Sequence, residues 1–492
     1  MTDVGITAFG AYLPRLRLQR KAMAAANAWA NPGIVGQGKG ERTMANWDED
    51  AVTMSVEAAR DALPGGDPFT TRRHVQALYF ASTTMPFADR QNAGIVAAAL
   101  SLPEEIHTAD VTGSQRAGVS ALIAGLEKVK AGGAKVALIA AGDRRKARSG
   151  STQEFQFGDG AAAFVVGADR VAARFLGSHS VSVDFVDHFR GESEEYDYNW
   201  EERWIRDEGY TKIVPRAVKG ALEKSGVAAA AIDHFILPCQ FAKLDQQLAA
   251  KCGIDASKVR DNLAASVGEC GTAHALVMLA HALEEAKPGQ KILVAAFGQG
   301  CDAAVFEVTD QIDKAAPRRG VKGWLGRRKE ETNYMKWLAF NGLIEMEKGM
   351  RAEKDNKTAL TVTYRKRDML FGLVGGKCEK CGTAQFPRTR ICVNPNCRAV
   401  DQQKPFSFAE LKGKILSWSA DYLTYSQDPP SHYGMVTFEE GGRFLSDITD
   451  VDIGTIDSGT QVRMVFRIKD FDDRRGFRRY FWKAAPATNG EA

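Results

Sequence analysis

Four cysteines in the C-terminal part of the chain have a spacing that is typical of a metal site. Cys378 and Cys381 form a CxxC pair, ten residues follow, and Cys392 and Cys397 form a CxxxxC pair. Each pair can lie on a tight turn, so that four thiolates surround one zinc ion tetrahedrally. Four protein ligands leave no open coordination position, which predicts a structural metal and not a catalytic one. Four ordinary cysteines, or a redox CxxC that needs no second pair, explain the pattern less well.

The other cysteines and the charge of the chain limit the compartment and the partners. Cys239, Cys252, Cys270 and Cys301 are scattered, and the clustered spacing of the rest favours metal binding in the cytosol over disulfides. The N-terminal residues lack the order of a signal peptide, and no apolar run is long enough to span a bilayer. Lysine and arginine exceed aspartate and glutamate by 65 − 61 = 4 in 492 residues. We therefore expect a cytoplasmic protein that binds neither nucleic acid nor a membrane.

The first 310 residues predict an α/β fold. Alanine-rich helical patterns alternate with apolar, β-rich runs, which are VGITAFG, VQALYFAST, KVALIAAGD, AAAFVVG, HFILPCQ and KILVAAFGQ. Alternation of this kind is typical of buried sheets that are covered by helices. KVKAGGAKVALIAAGD and EEAKPGQKILVAAFGQG each end a helix at glycine and enter a strand, which is a weak indication of an internal duplication. With 44% hydrophobic residues, the chain has enough apolar material for large cores.

The remaining residues change in character twice. Residues 311–332 contain seven lysines or arginines and little hydrophobic periodicity, which predicts a solvated linker rather than a nucleic-acid or membrane contact. Residues 333–350 resume an amphipathic helical pattern. From residue 358 onward, short alternating strands and turns, among them ALTVTYR and TQVRMVFRI, predict a small all-β module. The expected division is therefore a domain of residues 1–310, a basic linker with a helix of residues 311–357, and a domain of residues 358–485.

Motifs on both sides of this linker resemble known families. GITAFGAYLPRLRL, ANWDEDAVTMSVEAARDAL, GDGAAAFVVG and the long segment from VGECGTAHALVML to GQGCDAAVFEV occur in that order within residues 3–310. They resemble the archaeal-type 3-hydroxy-3-methylglutaryl-CoA synthases of the thiolase superfamily. Residues 333–485 resemble the DUF35 family. The resemblance implies a thiolase-like αβαβα layered fold, a C-terminal rubredoxin-like zinc ribbon and OB-fold β-barrel, a homodimer, and coenzyme A as a substrate.

The resemblance also assigns the catalytic positions, and the principal ones are substituted. In ADVTGSQRAG, Gln115 stands where the family has its cysteine nucleophile. The segment ILPCQFAKL aligns through Lys243, which is thereby an expected CoA-binding residue, and places Pro238 at the position of the family's histidine. Thr83, in STTMPF, stands at the acidic position, and Glu269 stands at the asparagine or aspartate position of the fourth motif.

These substitutions exclude acyl-cysteine chemistry at Gln115, because an amide is not an acyl-accepting nucleophile. No cysteine precedes Cys239, so a shifted alignment cannot restore one in that motif. Cys239 and Cys270 border the site in the family, although a small buried residue is the favoured interpretation of each. His188, in a segment that lines the family's pocket, is the favoured base, and His274 is a second candidate for which a structural role is favoured.

Without a protein thiol, the thiolate of coenzyme A can itself attack the ketone of a β-keto acid. We therefore expect an acyltransferase of the thiolase superfamily that performs CoA-dependent retro-Claisen cleavage to an acyl-CoA and a short acid such as acetate. An N–H of Gln115 and backbone amides near Gly298 and Gly300 would stabilise the oxyanion, with His188 or Glu269 as base. The whole pattern is similar to enzymes that convert vanilloyl acetate in bacterial aromatic catabolism, which suggests an aryl substrate.

Three other functions remain open at this point. They are decarboxylation of a β-keto acid with glutamine in the cysteine's place, condensation as in 3-hydroxy-3-methylglutaryl-CoA synthase, and non-catalytic binding of acyl-CoA by a scaffold. The products, and any need for free CoA, separate them. Phe155, Phe157 and Trp204 could line a pocket for an aryl group, although a place in the core is the favoured interpretation.

Overall fold

The computed structural model describes residues 3–352 and 358–487. The strands up to residue 331 are β1 Gly5–Tyr12, β2 Leu16–Gln19, β3 Glu41–Met44, β4 Ala77–Ala81, β5 His107–Val111, β6 Ala137–Asp143, β7 Gly160–Gly167, β8 Ala173–Ser182, β9 His188–Phe189, β10 Tyr198–Asn199, β11 His234–Ile236, β12 Lys291–Phe297, β13 Gly300–Val308 and β14 Lys329–Glu331. The later strands are β15 Val374–Cys378, β16 Ala384–Gln385, β17 Gln403–Ser407, β18 Gly413–Asp421, β19 Ser431–Phe438, β20 Arg443–Asp447, β21 Gln461–Asp472 and β22 Phe477–Pro486.

The α-helices are α1 Arg20–Asn27, α2 Ala51–Ala62, α3 Pro68–Thr71, α4 Asn92–Ala99, α5 Ala117–Lys130, α6 Thr152–Gln156, α7 Glu202–Trp204, α8 Thr211–Ser225, α9 Leu244–Lys251, α10 His274–Leu283, α11 Gly320–Gly326, α12 Tyr334–Phe340, α13 Thr361–Arg365 and α14 Arg367–Phe371. A π-helix at Ile205–Tyr210 continues α7 into α8. Within residues 3–352 and 358–487, no helix combines the length and the apolar character that crossing a bilayer requires.

Nine strands of the N-terminal part form one mixed sheet. The two halves of this sheet are two layers of a five-layered domain, and helices form the other three. The strand order is β11-β12-β13-β8-β1-β7-β6-β4-β5, and the pairing of β1 with β8 joins the two halves. Helices α5 and α10 contact strands of both halves and lie between them, whereas α2 covers the first half and α8 the second. α10 is buried along almost its whole length, as expected of a helix between two sheets. The predicted αβαβα layering is confirmed.

The C-terminal part contains a small three-stranded sheet and a barrel. β16, β15 and β17 form the first, and the second has the order β20-β19-β18-β21-β22. Ile448, directly after β20, pairs with Ala484 of β22, which closes the barrel. One expected strand is wrong: the segment ALTVTYR contains helix α13 and pairs with no strand. Its alternation was too short to distinguish strand from helix, because β-propensity depends on a neighbouring strand.

Residues 311–332 are not the solvated linker that their charge predicts. Trp324 of α11 is 3% exposed and packs edge-on against Tyr12, with ring centroids 4.6 Å apart. Arg318 pairs with Glu410 of the C-terminal part at 2.7 Å. The segment is thus a packed strap between the two parts of the chain, and carboxylates from distant residues neutralise its cations.

The amphipathic pattern of residues 333–350 yields a shorter helix than the sequence predicts. α12 ends at Phe340, and Asn341 follows as its C-cap. Gly342 has φ +67°, in the left-handed region where glycine has no side chain to clash. A left-handed glycine at this position is a common end of a helix.

The barrel packs on the N-terminus of α2, where the sequence NWDED supplies carboxylates. The fully buried Arg467 of β21 forms an ion pair with Glu49 and donates to the Tyr12 hydroxyl at 3.1 Å. Lys483 of β22 donates to Asp48 at 2.9 Å. Removing one partner of a buried ion pair costs about 3–5 kcal/mol, so these pairs fix the barrel against the N-terminal domain.

Candidate active site

A cavity of about 800 Å³ lies beside the start of α5, and we refer to it as the main cavity. Three predicted residues, Gln115, His188 and Glu269, line it. They come from segments that are far apart in the sequence, so only the tertiary fold brings them together. Amide side chains and aromatic rings supply much of the remaining lining. The cavity size is typical of small-molecule sites.

Gln115 occupies the turn that leads into α5, and the turn between β12 and β13 holds it there. Ser114 Oγ donates to the Gly298 carbonyl at 2.6 Å. A Cβ on Gly298 would lie 3.1 Å from the Gln115 nitrogen, so only glycine allows this close approach. The Gly298 N–H donates to the Gly300 carbonyl at 3.0 Å and is therefore not free for an oxyanion. The expectation of an oxyanion donor at Gly298 is wrong, and Gly300 does not line the main cavity.

His188 connects Gln115 to a carboxylate that the sequence analysis did not single out. Its Nδ1 lies 2.9 Å from Asp187 Oδ2, and its Nε2 lies 3.3 Å from the amide nitrogen of Gln115. A carboxylate only accepts, so Nδ1 carries the proton and Nε2 keeps its lone pair. Nε2 then accepts from one of the two amide hydrogens of Gln115. The arrangement is that of a general base whose ring is oriented by a carboxylate.

Gln299 fixes the Asp187–His188 pair in place. Its side-chain amide donates to the His188 carbonyl at 3.2 Å and approaches Asp187 Oδ1 at 3.4 Å. Its backbone has φ +47°, a conformation that a residue other than glycine rarely adopts without a constraint. The same turn contains Gly298, so one short loop sets the positions of both Gln115 and His188.

Glu269 is an ion-paired carboxylate at the wall of the main cavity. It pairs with Arg145, which also donates to Asp197 at 2.7 Å. The Arg145 guanidinium lies 3.8 Å from the centroid of the Phe157 ring. Burial alone would raise the pKa of Asp197, but Arg145 and Arg190 lower it below its ordinary value. Two cations and two carboxylates therefore lie together, and the ion pair with Arg145 leaves Glu269 little freedom to move.

Thr83 does not line the main cavity, contrary to the role that the resemblance implied. Its N–H donates to the buried Asp143 carboxylate at 2.8 Å, and its hydroxyl donates to the same group at 3.2 Å. Thr272 donates to Asp143 from its N–H at 2.8 Å and from its hydroxyl at 2.9 Å. Asp143, at the end of β6, thus fastens two loops together. Thr83 is a structural residue of this network.

His274 and Lys243 also lie outside the main cavity lining. His274 is buried, its Nδ1 accepts from the Cys270 N–H at 3.3 Å, and its Nε2 donates to the Asn262 carbonyl at 2.9 Å. Burial lowers its pKa, so it stays neutral and structural, and the hypothesis of a base at His274 is wrong. Lys243 is exposed at the start of α9, and its neighbours in sequence line the mouth of the cavity.

The cysteine that lines the main cavity is not an activated thiol. Cys239 is buried, and burial raises its pKa to about 12. Cys270 lies behind the cavity wall, where burial raises its pKa well above the ordinary value. Since the thiolate is the nucleophile, neither residue can replace the missing cysteine near neutral pH.

The four clustered cysteines form a candidate zinc centre at the three-stranded sheet. The ligand atoms of Cys378, Cys381, Cys392 and Cys397 all lie within 4.8 Å of one another. This separation suits four thiolates around one tetrahedral ion with Zn–S bonds of about 2.3 Å. The donor set therefore fits a structural zinc, as the spacing predicts.

Three family models match parts of the chain. The model of the C-terminal part of 3-oxoacyl-[acyl-carrier-protein] synthase III matches residues 222–308. The ChsH2 rubredoxin-like zinc ribbon matches residues 371–401, and the ChsH2 C-terminal OB-fold domain matches residues 408–467. The predicted zinc ribbon, OB-fold and thiolase-like α/β domain are thereby confirmed.

Curated relatives and solved structures agree with this assignment. Hydroxymethylglutaryl-CoA synthase of Caldivirga maquilingensis is 30% identical over 351 residues, which is 70% of this chain and 99% of the relative. That of Aeropyrum pernix is 30% identical over 70% of this chain and 96% of the relative. A solved hydroxymethylglutaryl-CoA synthase with CoA shares the fold, with a TM-score of 0.58 at 16% identity over 72% of this chain and 95% of that one.

A second solved structure has the same fold. The 3-oxoacyl-(acyl carrier protein) synthase III FabH of Pseudomonas aeruginosa gives a TM-score of 0.53 at 21% identity, over 62% of this chain and 98% of that one. The resemblance that the motifs indicated is thus confirmed over the N-terminal domain. The chain belongs to the hydroxymethylglutaryl-CoA synthase family of thiolase-superfamily acyltransferases, and it has a zinc ribbon and an OB-fold fused to that domain.

Proposed function

We propose that the protein cleaves a β-keto acid, such as the aryl compound vanilloyl acetate, with coenzyme A. The products are an acyl-CoA and a short acid such as acetate. The observation that supports this most directly is Gln115 at the nucleophile position, with its amide 3.3 Å from the His188 base and no activated thiol in the main cavity. A reaction that uses the thiol of a substrate needs no cysteine in the protein.

Each group in the proposed site has one task. In the proposal, Gln115 gives up its hydrogen bond to His188 Nε2 when the CoA thiol enters, and Nε2 then removes the thiol proton. Asp187 stabilises the imidazolium that results. The thiolate adds to the ketone, and the second amide hydrogen of Gln115 donates to the developing oxyanion. The carbon–carbon bond then breaks as the ketone carbonyl reforms. The electron pair of the broken bond moves to the carboxymethyl carbon, which takes the proton back from His188 and leaves as acetate. The former ketone carbon is then the thioester carbonyl of the acyl-CoA, so the atoms and charges balance.

Glu269 and Lys243 have supporting roles in the proposal. Glu269 is held by Arg145, so we assign it to the orientation of the cavity wall and assign the base to His188. Lys243 is exposed, and in the proposal it would contact a phosphate of CoA. β5 lies at the edge of the large sheet, and a second copy that pairs there would form the expected homodimer.

Mass spectrometry of the products tests the proposal. Purified protein is mixed with vanilloyl acetate, with and without CoA, and a sample without protein measures spontaneous decay. We expect vanilloyl-CoA and acetate in a one-to-one ratio, formed only when CoA is present. Aryl ketone and carbon dioxide above the spontaneous rate, without CoA, would instead identify a decarboxylase and contradict the proposal.

A further inference from the structure

A second cavity adjoins the main cavity on the side of His188. It has a volume of about 680 Å³, and His188 and Trp200 line both cavities. Phe185, Phe189 and Trp204 supply most of its apolar surface, so we call it the aromatic chamber. The two cavities therefore meet at His188 and Trp200, so both lie beside the base.

The rings of the aromatic chamber are more exposed than aromatic side chains usually are. Phe189 is 50% exposed, Trp200 49% and Trp204 44%. Burying such rings is favourable by several tens of cal/mol per Å², so leaving a group of them open to water is unfavourable. Clustered exposed apolar surface of this kind marks a binding site more often than a random surface does.

Local structure holds the rings as a preformed wall. Trp204 stacks on Phe185 at 5.7 Å with an interplanar angle of 9°. Phe185 in turn meets Phe297 edge-on at 6.1 Å, and Phe297 lines the main cavity. A continuous series of aromatic contacts therefore runs from one cavity to the other. The π-helix at Ile205–Tyr210, which follows Trp204 directly, is a feature that often occurs at functional sites.

We propose that the aromatic chamber binds the aryl ring of the β-keto acid. This inference rests on the proposed function, because it assumes that the reacting ketone lies beside His188. The chamber shares His188 with the main cavity, so a ring attached directly to the ketone reaches it. The adenine of CoA is separated from its thiol by the long pantetheine arm and does not need a site next to the base. A flat ring between Trp200 and Trp204 would gain stacking and would cover the exposed indoles.

Equilibrium binding tests this inference without turnover. Benzoyl-CoA and acetyl-CoA, which differ by the ring, are titrated by calorimetry into the wild-type protein and into Trp200→Leu and Trp204→Leu. We expect the wild-type protein to bind benzoyl-CoA roughly 5- to 100-fold more tightly, a factor that corresponds to one stacked ring. Each variant should reduce this preference to roughly 2-fold or less. The affinity for acetyl-CoA should stay unchanged in Trp204→Leu, because Trp204 lines the aromatic chamber and not the main cavity.

A matched variant outside both cavities makes the result decisive. Trp418→Leu removes a partly exposed indole from the barrel, outside both cavities, and should keep the full preference. Equal weakening of benzoyl-CoA, acetyl-CoA and free CoA in Trp204→Leu would place adenine in the chamber and overturn the inference. An unchanged preference would overturn it as well. If binding behaves as expected but no cleavage occurs, the proposed function fails and the aryl subsite stands.

Discussion

Gln115→Ala lowers kcat for CoA-dependent cleavage about 10²- to 10³-fold, which corresponds to a loss of about 2.7–4 kcal/mol of transition-state stabilisation. The reason is that the amide hydrogen directed at the oxyanion disappears, while the Asp187–His188 base remains. Gln115 lies in a turn and makes a single side-chain hydrogen bond, to His188 at 3.3 Å, so the fold should not change. Steady-state kinetics together with a thermal melt measure both effects. An alanine variant with full activity would contradict the role of Gln115.

Gln115→Ala removes both the amide donor and the volume of the side chain, and Gln115→Glu distinguishes these two effects. Glutamate has nearly the same shape as glutamine, but its carboxylate accepts and cannot donate. We expect activity at least as low as in Gln115→Ala, because a negative charge also opposes the oxyanion. Gln246→Ala changes an exposed glutamine of α9 outside the main cavity and serves as the unaffected control. A glutamate variant more active than the alanine variant would show that the side chain only fills space.

Removing the zinc ligands disrupts the zinc ribbon. Cys378→Ser should abolish stoichiometric zinc and unfold residues 371–401 locally, because structural zinc contributes about 10–16 kcal/mol to the folding of small domains. Phe371 lies at the edge of this segment, and its carbonyl accepts from Trp482 Nε1 at 2.6 Å. Loss of the ribbon therefore exposes a buried indole of the barrel. Metal analysis, limited proteolysis and tryptophan fluorescence detect the three consequences.

The control for the zinc prediction is a cysteine outside the cluster. Cys252 is buried in the N-terminal domain, and Cys252→Ser should bind one zinc per chain as the wild-type protein does. Chelation of the wild-type protein should reproduce the protease sensitivity of Cys378→Ser. Full zinc content in Cys378→Ser would show that Cys378 is not a ligand.

The sequence predicts the zinc centre and the layers because both depend on local patterns. The four cysteines lie within 20 residues, so their spacing alone implies a common ion. The strands KVALIAAGD and KILVAAFGQ are apolar throughout, and they become β6 and β12, one in each half of the large sheet. Continuous apolar runs of this length are typical of strands that are covered on both faces.

The candidate site depends on contacts between distant residues, and the sequence alone predicts it only in part. His188 and Gln115 are 73 positions apart, and Gln299 lies a further 111 positions beyond His188. The resemblance identified Gln115 and His188 as separate candidates and did not indicate that they contact each other. Their partnership, and the support from Gln299, follow from the turn between β12 and β13. The dipeptide Asp187-His188 was a usable signal for the acid partner of the base, since a carboxylate beside a histidine often orients it.

Three errors have a common physical cause. Thr83 and His274 matched catalytic chemistry by position or by residue type, but each forms hydrogen bonds to buried partners from elsewhere in the chain. The basic strap of residues 311–332 was misjudged for the same reason, since Glu410 and other carboxylates that neutralise it come from distant segments. The sequence alone does not show whether the partner of a charged or polar side chain is water, substrate or another protein group.

The central claim is that the thiol of coenzyme A, and no thiol of the protein, receives the acyl group. The most direct measurement is the intact mass of the enzyme, quenched in acid during steady-state turnover of vanilloyl acetate and CoA. We predict the unmodified mass of the chain while vanilloyl-CoA accumulates in the same sample. A chain heavier by one vanilloyl group, mapped to Cys239 or to any other residue, would contradict the account.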